Sequence, residues 1–188
     1  MNLLDIKPYF NNRGIAEKHV SYEEGFSLGK GVYPEEYLPK VGGLFSVDQI
    51  DFKFPARNEK KFDNLAMDNQ SIPFTSSSIH SIYLLGASAN GSFSEPVTVK
   101  RKGQEICVFK LKFSDFITKQ MKFSGERLIL ECPVLRYANI DVDYYRPKIF
   151  LHTEKFQVPI QADEIVLGDN PFIHIFSITL GEENSHDT

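Results

Sequence analysis

From Gln104 to Phe113 apolar and polar side chains alternate: Cys107, Phe109, Leu111 and Phe113 fall on one side of an extended chain, Lys110 and Lys112 on the other. A period of two belongs to a strand with one face on a core and one in water; a helix would scatter these residues around its surface. Val97 to Arg101 precedes this run, and Lys102-Gly103 joins the two. A tight hairpin is expected there, with glycine supplying the positive φ that such a turn needs. Similar β-rich runs bounded by Gly, Pro, Asn and Ser predict strands at His80 to Leu85, Arg127 to Cys132, Ile149 to His152, Phe156 to Pro159, Glu164 to Leu167 and Ile173 to Leu180. The last is mostly apolar on both faces, Phe172, His174 and Phe176 opposite Ile173 and Ile175, and reads as a central strand.

Helix is expected only briefly, at Pro34 to Leu38 and at Ser114 to Gln120, where Ser114 can cap a first turn and Asp115 suits the helix dipole. Ser76 to Ser78 reads as a turn, and Gly86 to Gly91 as a loop leaving the strand that ends at Leu85. The stretch from Gly25 to Asn69, rich in Gly, Pro and Asn, holds short apolar runs such as Val47 to Phe54. It is expected to be a long, partly irregular excursion packed across the fold. The fold class is therefore all-β, a two-sheet antiparallel β-sandwich spanning residues 1–181 as one domain. A polar tail, 182–188, is expected to be flexible.

A chain of 188 residues can bury one sizeable core, and its 16 Phe and 8 Tyr, with no Trp, suit a sandwich interior. The net charge of -4 and pI of 5.7 speak against a phosphate-tracking surface. Lys60-Lys61 and Lys100-Arg101-Lys102 lie beside turn residues as solvated charge, so no nucleic-acid partner is expected. The start, Met1-Asn2-Leu3-Leu4-Asp5, lacks the basic and apolar pattern of a secretory signal, and no apolar stretch is long enough to span a bilayer. No membrane association and a cytoplasmic location are expected. Cys107 and Cys132 lie in apolar runs and are expected to be reduced, buried and inert.

Catalytic constellations are not legible. His19, His80, His152, His174 and His186 lack ligand spacing for zinc; His174 reads as a core imidazole bonded to a neighbouring strand or loop, and His19 as an exposed loop residue. No nucleophile elbow, Walker loop or dinucleotide fingerprint is present. The carboxylate pairs Asp48 with Asp51 and Asp141 with Asp143 read first as surface charge, with a glycosidase pair as a remote alternative that only folding could create. No catalytic residue, metal ligand or cofactor is therefore assigned. Calcium is the cation that loops such as Asp68-Asn69 or Asp163 to Asn170 could hold in a structural role.

What remains is a set of loop aromatics and amides: Tyr9, Phe10, Asn11, Asn12 and Arg13; Tyr33; Asn64, Asn69 and Gln70; Tyr144, Tyr145 and Arg146. An aromatic face stacks on a pyranose while amides and guanidinium pair with its hydroxyls, so the candidate sugar ligands are Tyr9, Asn11, Asn12, Arg13, Tyr33, Asn64, Gln70, Tyr144 and Arg146. The plainer reading is that the amides satisfy loop backbone and the tyrosines cover the core edge.

Asp5-Ile6-Lys7-Pro8-Tyr9-Phe10-Asn11-Asn12-Arg13-Gly14-Ile15 resembles the opening of β-sandwich modules attached to bacterial glycoside hydrolases. The likeness continues through Tyr33 to Pro39, Phe52 to Pro55, Asp63-Asn64, Gln70 to Pro73 and Leu84 to Ala87, and closes at Asp169-Asn170-Pro171 and Ile173 to Leu180. It departs at Phe116, where a tryptophan is usual, and these residues hold no catalytic domain of that kind. The resemblance implies a jelly-roll, galactose-binding-like sandwich that binds carbohydrate or packs beside an α-mannosidase, fucosidase or related enzyme. Three functions are thereby in view: a non-catalytic carbohydrate-binding module; an interaction module that self-associates or packs on a separate glycoside hydrolase; and a small glycosidase.

Overall fold

The computed structural model describes residues 1–20, 22–138 and 140–182; the tail expected to be flexible lies outside them beyond Glu182. The strands in chain order are β1 (Asn2–Leu3), β2 (Ile15–Ala16), β3 (Gly31–Pro34), β4 (Leu44–Val47), β5 (Ile50–Lys53), β6 (Leu65–Ala66) and β7 (Ser71–Ser88). They continue as β8 (Phe93–Arg101), β9 (Gln104–Phe113), β10 (Arg127–Glu131), β11 (Leu135–Tyr137), β12 (Ile140–Val142), β13 (Lys148–Leu167) and β14 (Ile173–Glu182). A large antiparallel sheet runs β1-β14-β7-β13-β8-β9, with β6 also on β14 and β10 also on β13. A smaller sheet runs β12-β11-β3-β2, its β2–β3 pair parallel, and β4 with β5 forms a separate hairpin. The Gly25–Asn69 excursion supplies β3, the β4–β5 hairpin and β6.

The all-β expectation holds, and so does the hairpin at Lys102-Gly103, both of whose φ values are positive, 49° and 77°. β14 lies between β1 and β7, as a strand apolar on both faces should. The short helix at Pro34 to Leu38 is a single 3-10 turn, Glu35–Tyr37.

Four expectations are corrected, the first being the loop from Gly86, since β7 continues through Gly86 to Ser88 against β14. The strands at Ile149, Phe156 and Glu164 are one strand of 20 residues, β13, and Ser76 to Ser78 is not a turn but part of β7, with Ser77 opposite Ala162 and Ser78 opposite Gln161. Pro159 falls in one register break, between Lys155 and Ile160, and Pro73 pairs with Glu164 beside the other, so each proline sits where the ladder is already disturbed. At Ser114 to Gln120 no helix forms. The buried Glu126 carboxylate accepts the Ser114 N–H (2.8 Å) and hydroxyl, and Asp115 Oδ1 accepts the Ile117 N–H at 2.9 Å, so side chains take the groups a first helical turn would have used.

β7 and β14 are covered on both faces. Gly86, paired with Ile175, faces the Phe113 ring; on the same side Phe109 and Phe113 of β9 meet the His152 ring of β13 at 5.9 and 6.4 Å. One residue on, His174 faces the other way, onto Phe26. There Phe26, Tyr33, Phe54, Phe116 and Phe176 interlock, joining β14 to the smaller sheet and the β4–β5 hairpin. Gly86 is where the layers come closest: a Cβ there would stand 2.3 Å from the His174 carbonyl oxygen and 2.6 Å from Phe113. Because backbone blocks one side, Gly86→Ala is expected to cost about 3 kcal/mol. Urea denaturation checks this, and a loss of under 1 kcal/mol would show that the layers can part.

Candidate functional site

The N-terminal loop and the segment before β7 meet at an isolated antiparallel bridge, Asn12 opposite Asn64. The bridge gathers Asn11, Asn12, Asn64 and Gln70, but it turns their polar atoms inward. Asn11 pairs with the backbone of Ala66 through both ends of its amide, Oδ1 accepting the N–H at 2.7 Å and Nδ2 donating to the carbonyl at 3.0 Å. Gln70 donates to the same carbonyl and accepts the Asp68 N–H; Asn12 donates to Gly25 O. Asn64 is fully buried, and its Nδ2 donates to Asp63 Oδ1 (2.9 Å), Asn12 O (3.2 Å) and Asn12 Oδ1 (3.1 Å).

That bonding sets a tautomer. All the partners of Asn64 Nδ2 are acceptors, so its Oδ1 must accept from His174 Nδ1–H, 2.8 Å away. His174 is thus a core imidazole held by a loop, as its place in an apolar strand suggested, and burial pushes its pKa down to about 3. Asp63 accepts the N–H groups of Gly14 (2.8 Å) and Ile15 (3.1 Å). Burial pushes its carboxyl up to about 6 against the pull of these two N–H groups and of Asn64 Nδ2.

The other sugar candidates do not join this cluster. Tyr33, expected in a loop, lies in β3 with its ring sealed among Phe26, Phe116 and Phe176 and its hydroxyl donating to Lys148 O at 2.7 Å. Tyr9 packs half-buried against the core. The Arg13 guanidinium stacks over Tyr22 at 5.4 Å. Tyr144, Tyr145 and Arg146 face water on the turn before β13, the two rings edge to face at 5.0 Å and the Lys119 ammonium 4.9 Å from the Tyr144 ring. Arg146 reaches Glu131 at 3.5 Å.

One carboxylate at least of each pair is likewise engaged. Asp141 and Glu36 share the buried Arg136 guanidinium, at 2.8 and 2.9 Å and at 2.9 and 2.6 Å, while its Nη1 also donates to Ala16 O at 3.0 Å. Arg136 holds both carboxyls below their ordinary values, the opposite of what a glycosidase's general acid needs. Asp48 pairs with Arg127. Glu17 and Glu35 both pair with Arg57 beside an open groove of about 930 Å³ that Lys18, Tyr37 and Lys40 also line. Of the calcium candidates, Asp163 accepts the Lys102 N–H with both oxygens and so ties down the β8–β9 turn, and Asn170 Oδ1 accepts the Phe172 N–H. Among the described residues no three His, Cys, Asp or Glu side chains gather closely enough to hold a metal. Cys132 is buried, its thiol pushed up to about 12, whereas Cys107, expected to be buried, is only partly so, lying opposite Val99 near the turn of the β8–β9 hairpin.

Two features escape a reading of the sequence. Arg136 is one: a single arginine carries no pattern. The other is an apolar strip on the smaller sheet. Tyr137 of β11 stands opposite Ile140 of β12, Gly29 lies under the Tyr137 ring, and Leu28, Tyr137 and Ile140 are 77, 48 and 67% exposed. Lone apolar residues in a polar stretch looked like loop content because their pairing was not visible.

No helix among the described residues is long and apolar enough to cross a membrane. A family model described as an AziU2-like beta-sandwich domain matches residues 2–184, which takes in all the strands above. Carbohydrate binding and association with glycoside hydrolases do not follow from that match. No curated protein matches the chain.

Proposed function

We propose that this chain, which belongs to the AziU2-like β-sandwich domain family, is a non-catalytic packing module that presents the outer strands of its smaller sheet to a second polypeptide. The observation that carries this reading is the strip of Leu28, Tyr137 and Ile140, apolar and exposed on an edge, beside loop amides whose hydrogen bonds are spent inside the fold. The partner is a second copy or a separate enzyme such as a glycoside hydrolase. Light scattering separates these, and capture from the native lysate identifies the latter. Ile140→Asp is expected to weaken the association tenfold or more, because burying that side chain contributes about 2 kcal/mol. A strict monomer that captures no partner would sink the reading.

Carbohydrate binding is supported by a narrower observation, the exposed Tyr144–Tyr145 pair with Arg146 beside it. On that reading a sugar stacks on Tyr144, and Tyr144→Ala abolishes binding on a glycan panel and in calorimetry, with or without calcium. A flat response across the panel would remove it.

A further inference from the structure

Strand β13 has a neighbour missing from part of one edge. β10 pairs with it over Lys148 to Leu151 and β8 over Glu164 to Leu167, while on its opposite edge β7 pairs with every residue from Phe150 to Lys155. In an antiparallel ladder successive residues turn their N–H and C=O to alternate sides. Half of the backbone polar groups in His152–Lys155 therefore point to the open side, and no described strand or turn takes them up.

Two hollows flank these four residues. One, of about 330 Å³, is lined by His152 and Glu154 together with Val108, Phe109 and Lys112 of β9. The other, of about 560 Å³, is lined by Leu151 and Lys155 together with Ile50, Tyr83 and Arg127. Consecutive strand residues face opposite ways, so the hollows lie on the two faces of one edge, and they meet at Thr153 and Gly125. A Cβ built on Gly125 would meet nothing within 4 Å, so the mouth is open.

We propose that the open edge of β13 at His152–Lys155 accepts an extended, acidic segment of a partner polypeptide as an added strand, its alternate side chains entering the two hollows. Strand addition takes affinity from backbone bonds and selectivity from pockets at alternate positions, the geometry found at this edge. The acidic preference follows from the charges that remain: Asp48 is paired with Arg127, Glu126 is spent on Ser114, and the Glu154 carboxylate is offset by the charge of Lys112, whereas Lys110, which also lines the first hollow, and Lys155 form no ion pair among the described residues. The inference deepens the packing reading but uses other residues, so the two fail separately.

The test uses the whole chain and a blocked peptide of alternating glutamate and valine, with its lysine–valine counterpart as the control. Saturating glutamate peptide is expected to slow amide exchange in His152–Lys155 by about tenfold or more, with Lys110→Glu combined with Lys155→Glu weakening its binding about tenfold. Both lysines are exposed, so the variant tests charge and not folding. Equal binding of the two peptides, protection confined to other strands, or protection that grows with protein concentration alone would each overturn the proposal, the last by placing a second copy in the slot. Ile140→Asp is expected to leave peptide binding unchanged.

Discussion

Phe26→Ala is expected to lower the free energy of unfolding by about 4 kcal/mol, the middle of the range for deleting a buried phenyl ring. Phe26 belongs to no strand; its N–H donates to Gly31 O at 3.0 Å, and its ring is held by packing. Its ring lies 4.1 Å from His174, 4.9 Å from Phe116, 5.1 Å from Tyr33 and 5.8 Å from Phe176. These neighbours come from β14, β3 and the loop after β9, so one truncation opens a cavity where three parts of the chain meet. None can collapse inward easily: His174 is bonded to Asn64, and the Tyr33 hydroxyl to Lys148 O. Urea denaturation with an unchanged slope is the measurement, and Phe26→Leu should recover half or more of the loss. A cost below about 1 kcal/mol would mean that the smaller sheet is not anchored through this cluster.

Alternation made the large sheet legible. The β8–β9 hairpin, the central place of β14 and most strand positions follow from period-two patterns and turn residues that act locally. The pattern failed where two strands are long and bulged: Pro73 and Pro159 look like chain breaks, yet the ladders of β7 and β13 pass them because the unpaired residues fall beside them. It failed again at Ser114, where a helix cap was expected but the group that takes its N–H and hydroxyl, Glu126, lies twelve residues away.

The candidate site was less legible, for a related reason. Asn11, Asn12, Asn64 and Gln70, singled out in the sequence as candidate sugar ligands, are brought together by the fold. A sequence does not show whether an amide's partner is a ligand or a strand edge; the Asn12–Asn64 bridge decides it in favour of backbone and of His174. Tyr33 was placed in a loop because Gly25 to Asn69 looked irregular, when its short β3 is the innermost strand contact of the smaller sheet.

The buried ionisable groups also give stability a definite pH dependence. Acidification from pH 6.5 to 4 is expected to lower the free energy of unfolding by roughly 3 kcal/mol. His174 and His152 stay neutral in the fold, burial pushing them down to about 3 and about 4, with the charge of Lys112 adding to the effect at His152. In the unfolded chain both take up protons near their ordinary 6.5, so below that pH the unfolded state binds two more protons and stability falls as pH falls. Asp63 works the other way. Its folded value near 6 lies above its ordinary 3.8, so between these values the folded state binds the extra proton and gains stability as pH falls. Two imidazoles against one carboxyl leave a net of one proton, a slope of roughly 1 kcal/mol per pH unit between pH 6 and 4. Asp63→Asn removes the opposing group and should steepen the slope to roughly 3 kcal/mol per unit, whereas His152→Phe should flatten it almost to zero. Below the ordinary carboxyl range the Arg136 pairs add to the loss, since Glu36 and Asp141 are both held low in the fold. Chemical denaturation at half-unit pH intervals measures all three slopes. A wild-type profile flat between pH 6 and 4, or a His152→Phe slope equal to it, would show that water reaches these imidazoles and that the layers around β13 are not closed.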